Sequence, residues 1–301
     1  MTSQIVIIGA GVGGLATAMR LCAHGNVTLL EAHGSPGGKM RTVPSDAGPI
    51  DAGPTVMTMR PVFEDLFHSA GTRLDDHVTL VPETILARHH WQDGSTLDLF
   101  ADQRASEDAV GKFAGAKAAR EFRRFSKTAA QLFNAFEGPM MHSAAPSQDV
   151  LTRHVMRHPS LIPAMAPGLS LARKLALSFS DPRLRQLFGR YATYVGGSPY
   201  QSPAILGLIW HAEAQGVWRV EGGMHMLAQA MANVATQTGA TLQINSPVTR
   251  IETQGDRVVA VHTKNKRYPA DIVVFNGDPK ALNAGLLGAS SQKAVPPQEP
   301  R

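Results

Sequence analysis

The feature that most constrains this chain is a glycine-rich turn near its start. An apolar run, Ile5–Ile8, leads into Gly9-Ala10-Gly11-Val12-Gly13-Gly14, and a helical pattern follows. A second apolar run, Val27–Leu30, ends at Glu31. Strand, glycine turn, helix and strand in this order predict the first βαβ unit of a Rossmann-like, dinucleotide-binding α/β domain.

Each part of the turn has a predicted role. Gly9 lets the chain leave the strand, Gly11 makes room for a pyrophosphate, and Gly14 brings the helix close to the strand. Val12 and Gly13 offer backbone N–H groups at the helix N-terminus. The acidic residue stands 17 positions beyond Gly14, which weighs against a glycine turn without a ligand.

A carboxylate and a second glycine loop indicate which dinucleotide is bound. Glu31 can accept both ribose hydroxyls and would repel a 2′-phosphate, so NADP is disfavoured. Gly37, Gly38 and Lys39 follow the acidic strand and bring another loop to the same diphosphate. NAD sites do not need this loop, whereas the longer FAD uses one, and the sequence therefore predicts FAD.

Composition limits the remaining classes. A chain of 301 residues with 43% apolar and 18% charged residues can bury a large core, and we expect two structural units. Cys22 is the single cysteine, which excludes an internal disulfide and a cysteine-based zinc site. Neither a signal peptide nor a membrane-spanning run is evident, and the predicted location is cytoplasmic with no nucleic-acid partner.

The order of predicted elements indicates how the chain is organised. Helical spacing is predicted for 61–71, 106–136, 205–217 and 226–238, and for interrupted pieces between 169 and 194. A hairpin is predicted up to Phe100 with its turn at Asp93-Gly94. Strands are predicted at 241–244, 248–253, 258–263 and 272–275, and disorder is predicted after 285.

The stretch from 151 to 190 is strongly basic. It holds seven cations and one anion, Asp181, interleaved with Leu, Met, Ile and Phe. This combination is typical of a helix lying on anionic lipid, although a solvated face over a helical core explains it equally well.

Several motifs together resemble the bacterial phytoene-desaturase-type carotenoid desaturases, which are FAD enzymes. The motifs are the glycine turn, Glu31, Gly37-Gly38-Lys39, Asp51-Ala-Gly-Pro-Thr55, Tyr194-Val-Gly-Gly-Ser-Pro199, Gly216-Val-Trp218 and Glu221-Gly-Gly-Met224. Within this family the chain is most similar to the 1-hydroxycarotenoid 3,4-desaturases, through Asp51–Arg60, Leu86–Phe100 and Asp181–Tyr194. The resemblance covers residues 4 to about 283.

The resemblance implies a Rossmann-like FAD-binding domain of the glutathione-reductase type with an inserted α+β substrate domain. The FAD-binding domain would comprise 1–59 and 220–285, the substrate- and membrane-contacting domain 60–219, and a disordered tail 286–301. The implied cofactor residues also include four that would approach the flavin or the adenine: Gly53, Pro54, Thr55 and Val248.

The implied reaction desaturates a C–C bond of an acyclic 1-hydroxy or 1-methoxy carotenoid by hydride transfer to flavin N5. Such chemistry requires no strong side-chain base, so no catalytic residue is predicted. The implied setting is peripheral, on the inner face of the membrane.

One departure from the family pattern leaves alternatives open. Family members continue well beyond residue 301, into a part that returns to the flavin. We therefore consider a fragment, a truncated gene product, or half of a split protein whose second chain supplies that part. Two other hypotheses are an inactive remnant that retains nucleotide or membrane binding, and a flavin amine oxidase.

The histidines give weaker signals. His154 and His158 lie four apart without the acidic residue of His-Glu-x-x-His, so no metal site is predicted. His89 and His90 alternate across a strand and cannot act together, although either could line a pocket. His225 follows a glycine pair and is a candidate for a polar contact near the flavin.

Overall fold

The computed structural model describes residues 2–143 and 147–295. Two compact units are present. The first unit consists of the chain up to Val81 together with the chain from Trp218 onward, and the second unit is Pro82–Val217. The nucleotide-binding motifs all lie in the first unit.

A four-stranded parallel sheet forms the centre of the first unit. Its strands are β1 (Ser3–Ile8), β2 (Gly25–Leu30), β9 (Thr241–Gln243) and β13 (Ile272–Phe275). They lie side by side in the order β13-β1-β2-β9. The strands β3 (Thr42–Val43) and β4 (Ile50–Asp51) pair with each other, as do β5 (Leu80–Pro82) and β8 (Trp218–Val220). An antiparallel sheet contains β10 (Val248–Gln254), β11 (Arg257–Thr263) and β12 (Arg267–Pro269).

The alternation of side chains along β1 explains why this sheet is buried on both faces. Ile5 and Ile7 pack with α1 (Val12–Leu21) and α9 (Met224–Gln237) in one apolar cluster. Val6 and Ile8 belong to a second cluster, which contains residues of β10 and β11. The parallel sheet is therefore covered by helices on one side and by the antiparallel sheet on the other.

Shorter helices complete the first unit. They are α2 (Arg60–Ser69), α10 (Pro279–Asn283) and the 3-10 helices Leu74–Asp76 and Ala289–Ala294. Leu66 and Phe67 of α2 pack into the cluster on the helical side of the sheet. The compact unit consequently extends to Val81, beyond the domain bound predicted at residue 59.

The second unit combines one hairpin with helices. The hairpin strands are β6 (Ile85–His90) and β7 (Thr96–Phe100), and its turn lies at the predicted Asp93-Gly94. The helices are α3 (Gln103–Met141), α4 (Gln148–Arg157), α5 (Leu161–Met165), α6 (Leu171–Ser178), α7 (Pro182–Gly189) and α8 (Ile209–Ala214). Two 3-10 helices, Arg190–Val195 and Ala204–Leu208, adjoin them.

Aromatic side chains fill the centre of the second unit. Phe188 stacks on Phe179 with ring centroids 5.1 Å apart and meets Phe125 at 4.7 Å. Trp210 lies edge-on to Phe188 and donates its indole N–H to the Ser126 hydroxyl at 2.8 Å. These aromatic side chains belong to one buried apolar cluster.

The long predicted helix at 106–136 is interrupted. Gly115, with φ 88° and ψ 167°, breaks the helical segment α3 (Gln103–Met141). The two parts fold back on each other, because the Arg123 Nε–H donates to Glu107 Oε2 at 2.8 Å although the residues are sixteen positions apart. In a straight helix they would be roughly 24 Å apart.

The predicted disordered tail is partly ordered. Leu287 is buried in the cluster beneath the antiparallel sheet, and its carbonyl accepts the N–H of Ile251 at 2.9 Å. Ser291 of the 3-10 helix Ala289–Ala294 is also buried. The prediction was wrong for 286–295 because these few apolar contacts were not evident in a Ser-, Gln- and Ala-rich segment; residues 296–301 lie outside the described part of the chain.

Candidate functional site

The glycine turn occupies the carboxyl end of the parallel strands. Gly9 has φ 96°, and its N–H donates to the carbonyl of Leu30 at 2.8 Å. A Cβ on Gly14 would overlap the Gly9 carbonyl oxygen, which explains the close approach predicted for that glycine. Both residues are glycine for reasons that lie within the protein's own backbone.

In the described part of the chain, the N-cap residue of α1 makes no side-chain capping hydrogen bond. That residue is Gly11, and the first turn of the helix carries no acidic residue. The N–H groups of Val12 and Gly13, at the start of this helix, are the ones that an anion would meet. The positive end of the helix dipole favours a phosphate at this position.

Glu31 is fixed by backbone N–H groups. Its side chain lies in a residue only 5% exposed, where Oε2 accepts the Ala10 N–H at 2.7 Å and Oε1 accepts the His33 N–H at 2.9 Å. The carboxylate therefore ties the end of β2 to the glycine turn. Its predicted contact with a ribose stays a prediction.

The second glycine loop lies directly on the first. The Gly37 N–H donates to the Ala10 carbonyl at 2.8 Å, and Gly37 pairs with Gly11 in a short parallel bridge. A Cβ on Gly38, which has φ 60°, would lie 3.2 Å from Gly11 Cα. The exposed Lys39 follows this contact, so the two predicted phosphate loops are brought together.

The loop that contains Gly53 packs against the same segment. A Cβ on Gly53 would overlap the Lys39 carbonyl oxygen, and the adjacent Ala52 N–H donates to the Arg41 carbonyl at 2.8 Å. Pro54 and Thr55, which follow, are exposed. Their predicted approach to a flavin stays a prediction.

Val248 begins β10 close to the end of β2. Two residues before it, the Ser246 N–H donates to the Glu31 carbonyl at 2.7 Å, and the Asn245 N–H donates to the His33 carbonyl at 2.9 Å. Val248 itself is half-buried against the cluster beneath the antiparallel sheet. This position is compatible with the predicted contact to an adenine.

Helix α9 meets the loops through Asp51 and His225. Asp51 Oδ2 accepts the Met224 N–H at 3.0 Å, and a Cβ on Gly223 would lie 2.9 Å from Asp51 Oδ1. The ring Nδ1 of His225 lies 3.0 Å from the Met40 carbonyl oxygen and must therefore be the protonated nitrogen. The predicted polar contact of His225 is made with the backbone of the second glycine loop.

Asn276 is a residue of this site that the sequence analysis missed. It follows β13 directly, and its side-chain Nδ2–H donates to the Gly9 carbonyl at 3.3 Å. The sequence showed only a polar residue directly after a short apolar run, which does not by itself place that run beside β1 at the edge where parallel sheets bind ligands.

The histidines of the second unit divide into separate environments. His89 pairs with the buried Leu97 in the hairpin and is half-buried, whereas His90 is exposed. Burial, together with the nearby charge of Arg190, lowers the pKa of His89 to about 4. His154 and His158 have ring centroids 4.7 Å apart, and the described residues contain no metal-binding cluster of three or more groups.

A buried polar cluster lies between α8 and the 3-10 helix Arg190–Val195. Glu213, in a residue 7% exposed, accepts from Arg190 at 2.5 Å, from the Tyr191 hydroxyl at 2.9 Å and from the Tyr194 hydroxyl at 2.6 Å. Burial and the Glu213 hydrogen bond raise the pKa of Tyr194 to about 12. Both tyrosines are thus held as proton donors.

A protein-family comparison matches almost the whole chain. The profile of a family described as flavin containing amine oxidoreductase matches residues 12–300. The family is flavin-containing, in agreement with the flavin cofactor predicted from the glycine loops.

The curated relatives agree with the resemblance found in the sequence. Hydroxyneurosporene desaturase of Cereibacter sphaeroides is 55% identical, over 97% of this chain and 60% of that protein. The protein of the same name from Rhodobacter capsulatus is 48% identical over 97% and 60%. Phytoene dehydrogenase of Streptomyces griseus is 34% identical over 97% and 57%, so the chain spans about 60% of the length of these relatives.

Solved structures share the fold. An oxidoreductase from Methanosarcina mazei superposes with a TM-score of 0.62 at 16% identity, covering 94% of this chain and 61% of that one. Putrescine oxidase bound to putrescine gives 0.57 at 17% identity, covering 93% and 59%. Together with the parallel sheet and its glycine turn, these similarities confirm the predicted FAD-binding α/β fold.

Proposed function

Because the chain belongs to the flavin-containing amine oxidoreductase family, we propose that it binds FAD and serves the desaturation of an acyclic carotenoid. The substrate proposed is a carotenoid with a 1-hydroxy or 1-methoxy end group. The observation that carries this proposal is the 55% identity to a hydroxyneurosporene desaturase over 97% of the chain. Similarity to amine oxidases of known structure is limited to 17–19% identity and supports the shared fold alone.

The residues of the first unit fit a dinucleotide. Three observations support this fit: α1 has an uncapped N-terminus, two glycine loops touch without side chains between them, and Glu31 is held at the end of β2. The proposed diphosphate-binding residues are Gly9, Gly11, Val12, Gly13, Gly14, Gly37, Gly38 and Lys39. Glu31 would hold the ribose, Val248 the adenine, and Gly53, Pro54 and Thr55 the flavin.

When bound, FAD would accept one hydrogen of a C–C bond beside the polyene as hydride, and the second hydrogen would leave as a proton to solvent water. The chain's own part is placement. Uncharged backbone N–H groups at the start of α1 would orient the diphosphate. The hydrogen bond from the Met224 N–H to the Asp51 carboxylate would fix α9 beside the second glycine loop. Because this chemistry needs no strong base, no side chain is assigned as a proton acceptor.

The first test is the absorption spectrum of the purified chain. We expect flavin bands that remain after gel filtration, and we expect them to be lost in Gly14→Ala, where the added Cβ overlaps the Gly9 carbonyl. Gly138→Ala is the matched control, since a Cβ at that position meets no atom of the described residues within 4 Å apart from its own turn of helix. A colourless wild-type protein that takes up no added FAD would contradict the proposal and support the inactive remnant.

Substrate conversion separates the two enzyme hypotheses. A flavin-loaded chain mixed with liposomes that contain a 1-hydroxy carotenoid should lengthen the conjugated system and shift its absorption to the red. Conversion of an amine with no change in the carotenoid would instead support a flavin amine oxidase.

We further propose that the second unit associates with the inner face of a membrane. No helix among the described residues is long and apolar enough to cross a bilayer. Exposed apolar side chains nevertheless accompany the basic stretch, with Met156 at 74%, Leu177 at 77% and Tyr200 at 79% exposure. Apolar side chains among cations are what interfacial binding to anionic lipid requires.

A further inference from the structure

We propose that Asn276 is a further cofactor-binding residue, whose side chain forms one wall of the diphosphate site and donates a hydrogen bond to the diphosphate. The inference rests on the proposed function, since the ligand in question is the diphosphate of FAD. It adds a residue that lies 262 positions beyond Gly14, outside both glycine motifs.

The parallel sheet places Asn276 beside the turn. Phe275, the last residue of β13, pairs with Ile8, the last residue of β1. The Asn276 N–H then donates to the Ile8 carbonyl at 2.9 Å. Asn276 and Gly9 therefore leave neighbouring strands side by side, at the carboxyl edge where open α/β sheets bind their ligands.

The carboxamide of Asn276 fills the space that the glycines leave. A Cβ on Gly11 or on Gly14 would lie 3.1 Å from Asn276 Nδ2, and a Cβ on Gly13 would lie 2.5 Å from Asn276 Oδ1. Three glycines of the turn thus face one amide group. Gly13, to which the motif assigns no separate role, is glycine because Asn276 occupies its side-chain volume.

The orientation of the amide follows from its partner. The Gly9 carbonyl can only accept a hydrogen bond, so the NH₂ group and not the amide oxygen must face it. One hydrogen of Nδ2 points to Gly9 at 3.3 Å, and the second remains for another acceptor. Asn276 is half-buried.

A diphosphate is the acceptor that this position favours. The uncapped N-terminus of α1 begins at Val12, between the glycines that Asn276 contacts. The nearest acidic residue in sequence, Asp278, is engaged as the cap of α10, accepting the Lys280 N–H at 2.9 Å. A neutral amide donor next to free helix N–H groups would complete an anion site without repelling the ligand.

The test compares Asn276→Asp and Asn276→Ala with wild type, using FAD and ADP as probes in calorimetry. Asn276→Asp keeps the size of the side chain but replaces the donor with a negative charge facing both the Gly9 carbonyl and the diphosphate. We expect its affinity for both probes to fall at least tenfold, and that of Asn276→Ala to fall roughly tenfold, as for the loss of one hydrogen bond to a charged group. Asn233→Ala, an exposed asparagine on α9, is the matched control and should bind like wild type.

The melting temperature of the ligand-free protein distinguishes a ligand-binding role of Asn276 from a purely structural one. The carboxylate of Asn276→Asp faces the Gly9 carbonyl and lowers the melting temperature, so the proposal expects this variant to be folded at the temperature of the titration while its ADP affinity falls at least tenfold; Asn276→Ala, which lacks that repulsion, should melt close to the control. Unchanged ADP affinity in both variants would overturn the proposal, and so would a loss of affinity that only accompanies unfolding. If wild type itself binds neither probe, it is the proposed function that fails.

A double-mutant cycle gives an independent readout. Gly13→Ala should displace the Asn276 carboxamide and so weaken ADP binding through the same group. The Gly13→Ala/Asn276→Ala double variant should then lose no more affinity than the more affected single variant. Additive losses would show that the two residues act separately and would overturn the proposed wall.

Discussion

At the residue scale, the lowered pKa of one half-buried histidine, His89, makes the stability of the second unit depend on pH. Burial and the charge of Arg190 outweigh the opposing charges of Glu213 and Asp98, and the pKa of His89 is lowered from 6.5 to about 4. As the pH falls, His89 is therefore protonated at a higher pH in the unfolded chain than in the folded protein. Stability attributable to this residue is lost between about pH 6.5 and pH 4.

We predict that His89→Phe removes this part of the pH dependence. The variant should gain stability relative to wild type as the pH falls from about 6.5 to about 4, because phenylalanine has no proton to bind. Denaturant midpoints over this range measure the effect. His90→Phe, on the exposed face of the same strand, is the control; a parallel pH profile for all three proteins would contradict the prediction.

Residues of the glycine turn show what sequence can and cannot reveal about a site. Gly9, Gly11, Gly14 and Glu31 could be predicted because their spacing along the chain is short and fixed by one βαβ unit. Asn276 could not, because nothing in the local sequence states that β13 would pair with β1. Glu31 illustrates a mixed outcome, since its position was predicted but its two backbone partners depend on the folded turn.

At the scale of elements, the break in α3 depends on one glycine. We predict that Gly115→Ala destabilises the protein by about 1–3 kcal/mol, the cost of holding a side chain at φ 88° and ψ 167°. Among the described residues, apart from the two chain neighbours of Gly115, no atom lies within 4 Å of the added Cβ, so the effect would come from the backbone conformation alone. Chemical denaturation measures the change.

The control for this prediction lies four residues earlier in the same helical segment. Gly111 is helical, and its added Cβ would make ordinary contact with Ala119 Cβ at 3.4 Å. Gly111→Ala should therefore stabilise the protein by about 0.5–1 kcal/mol. Equal effects of the two substitutions would argue against a strained break at Gly115.

The buried cluster around Glu213 connects two further elements. We predict that Glu213→Gln costs about 3 kcal/mol of unfolding free energy, because it leaves the largely enclosed Arg190 without its counter-ion. Urea denaturation compares the variant with Glu64→Gln, which breaks an exposed pair with Arg60 and should cost less than about 1 kcal/mol. A Glu213→Gln variant as stable as this control would show that the cluster is not tightly coupled.

Element types were predictable where periodicity was strong and partners were local. The βαβ unit, the Asp93-Gly94 hairpin and the helix α9 were predicted within a few residues of their observed bounds. The two-residue pair β3 and β4, and the strand β12, were missed because each is too short to show alternation. The fold-back at Gly115 was missed because a glycine inside a helical pattern does not reveal its φ angle.

At the scale of the whole molecule, the distribution of charge and apolar surface predicts a membrane-binding face. On α6, Arg173 and Leu177 are both exposed. We predict that Arg173→Gln/Leu177→Ser weakens partitioning to phosphatidylglycerol vesicles by roughly a hundredfold, from ~1 kcal/mol for the cation and about 2 kcal/mol for the leucine. Vesicle sedimentation measures this partitioning.

The matched control makes the same chemical change in the first unit. Ile244→Ser/Arg257→Gln alters one exposed apolar residue and one exposed cation there, and should partition like wild type. Neutral phosphatidylcholine vesicles should bind all three proteins weakly. If both double variants lost vesicle binding equally, the binding would depend on the overall charge of the protein and not on α6, which would contradict the prediction.

The pairing of β13 with β1 has a consequence for how this protein is made. Synthesis delivers the glycine turn first, but its neighbour Asn276 leaves the ribosome only after the entire second unit has been translated. Until then β1 lacks the partner strand on its β13 side, and its apolar residues can pack only with earlier elements such as β2, α1 and α9. Capture of a dinucleotide should therefore be a late event, coupled to the arrival of β13.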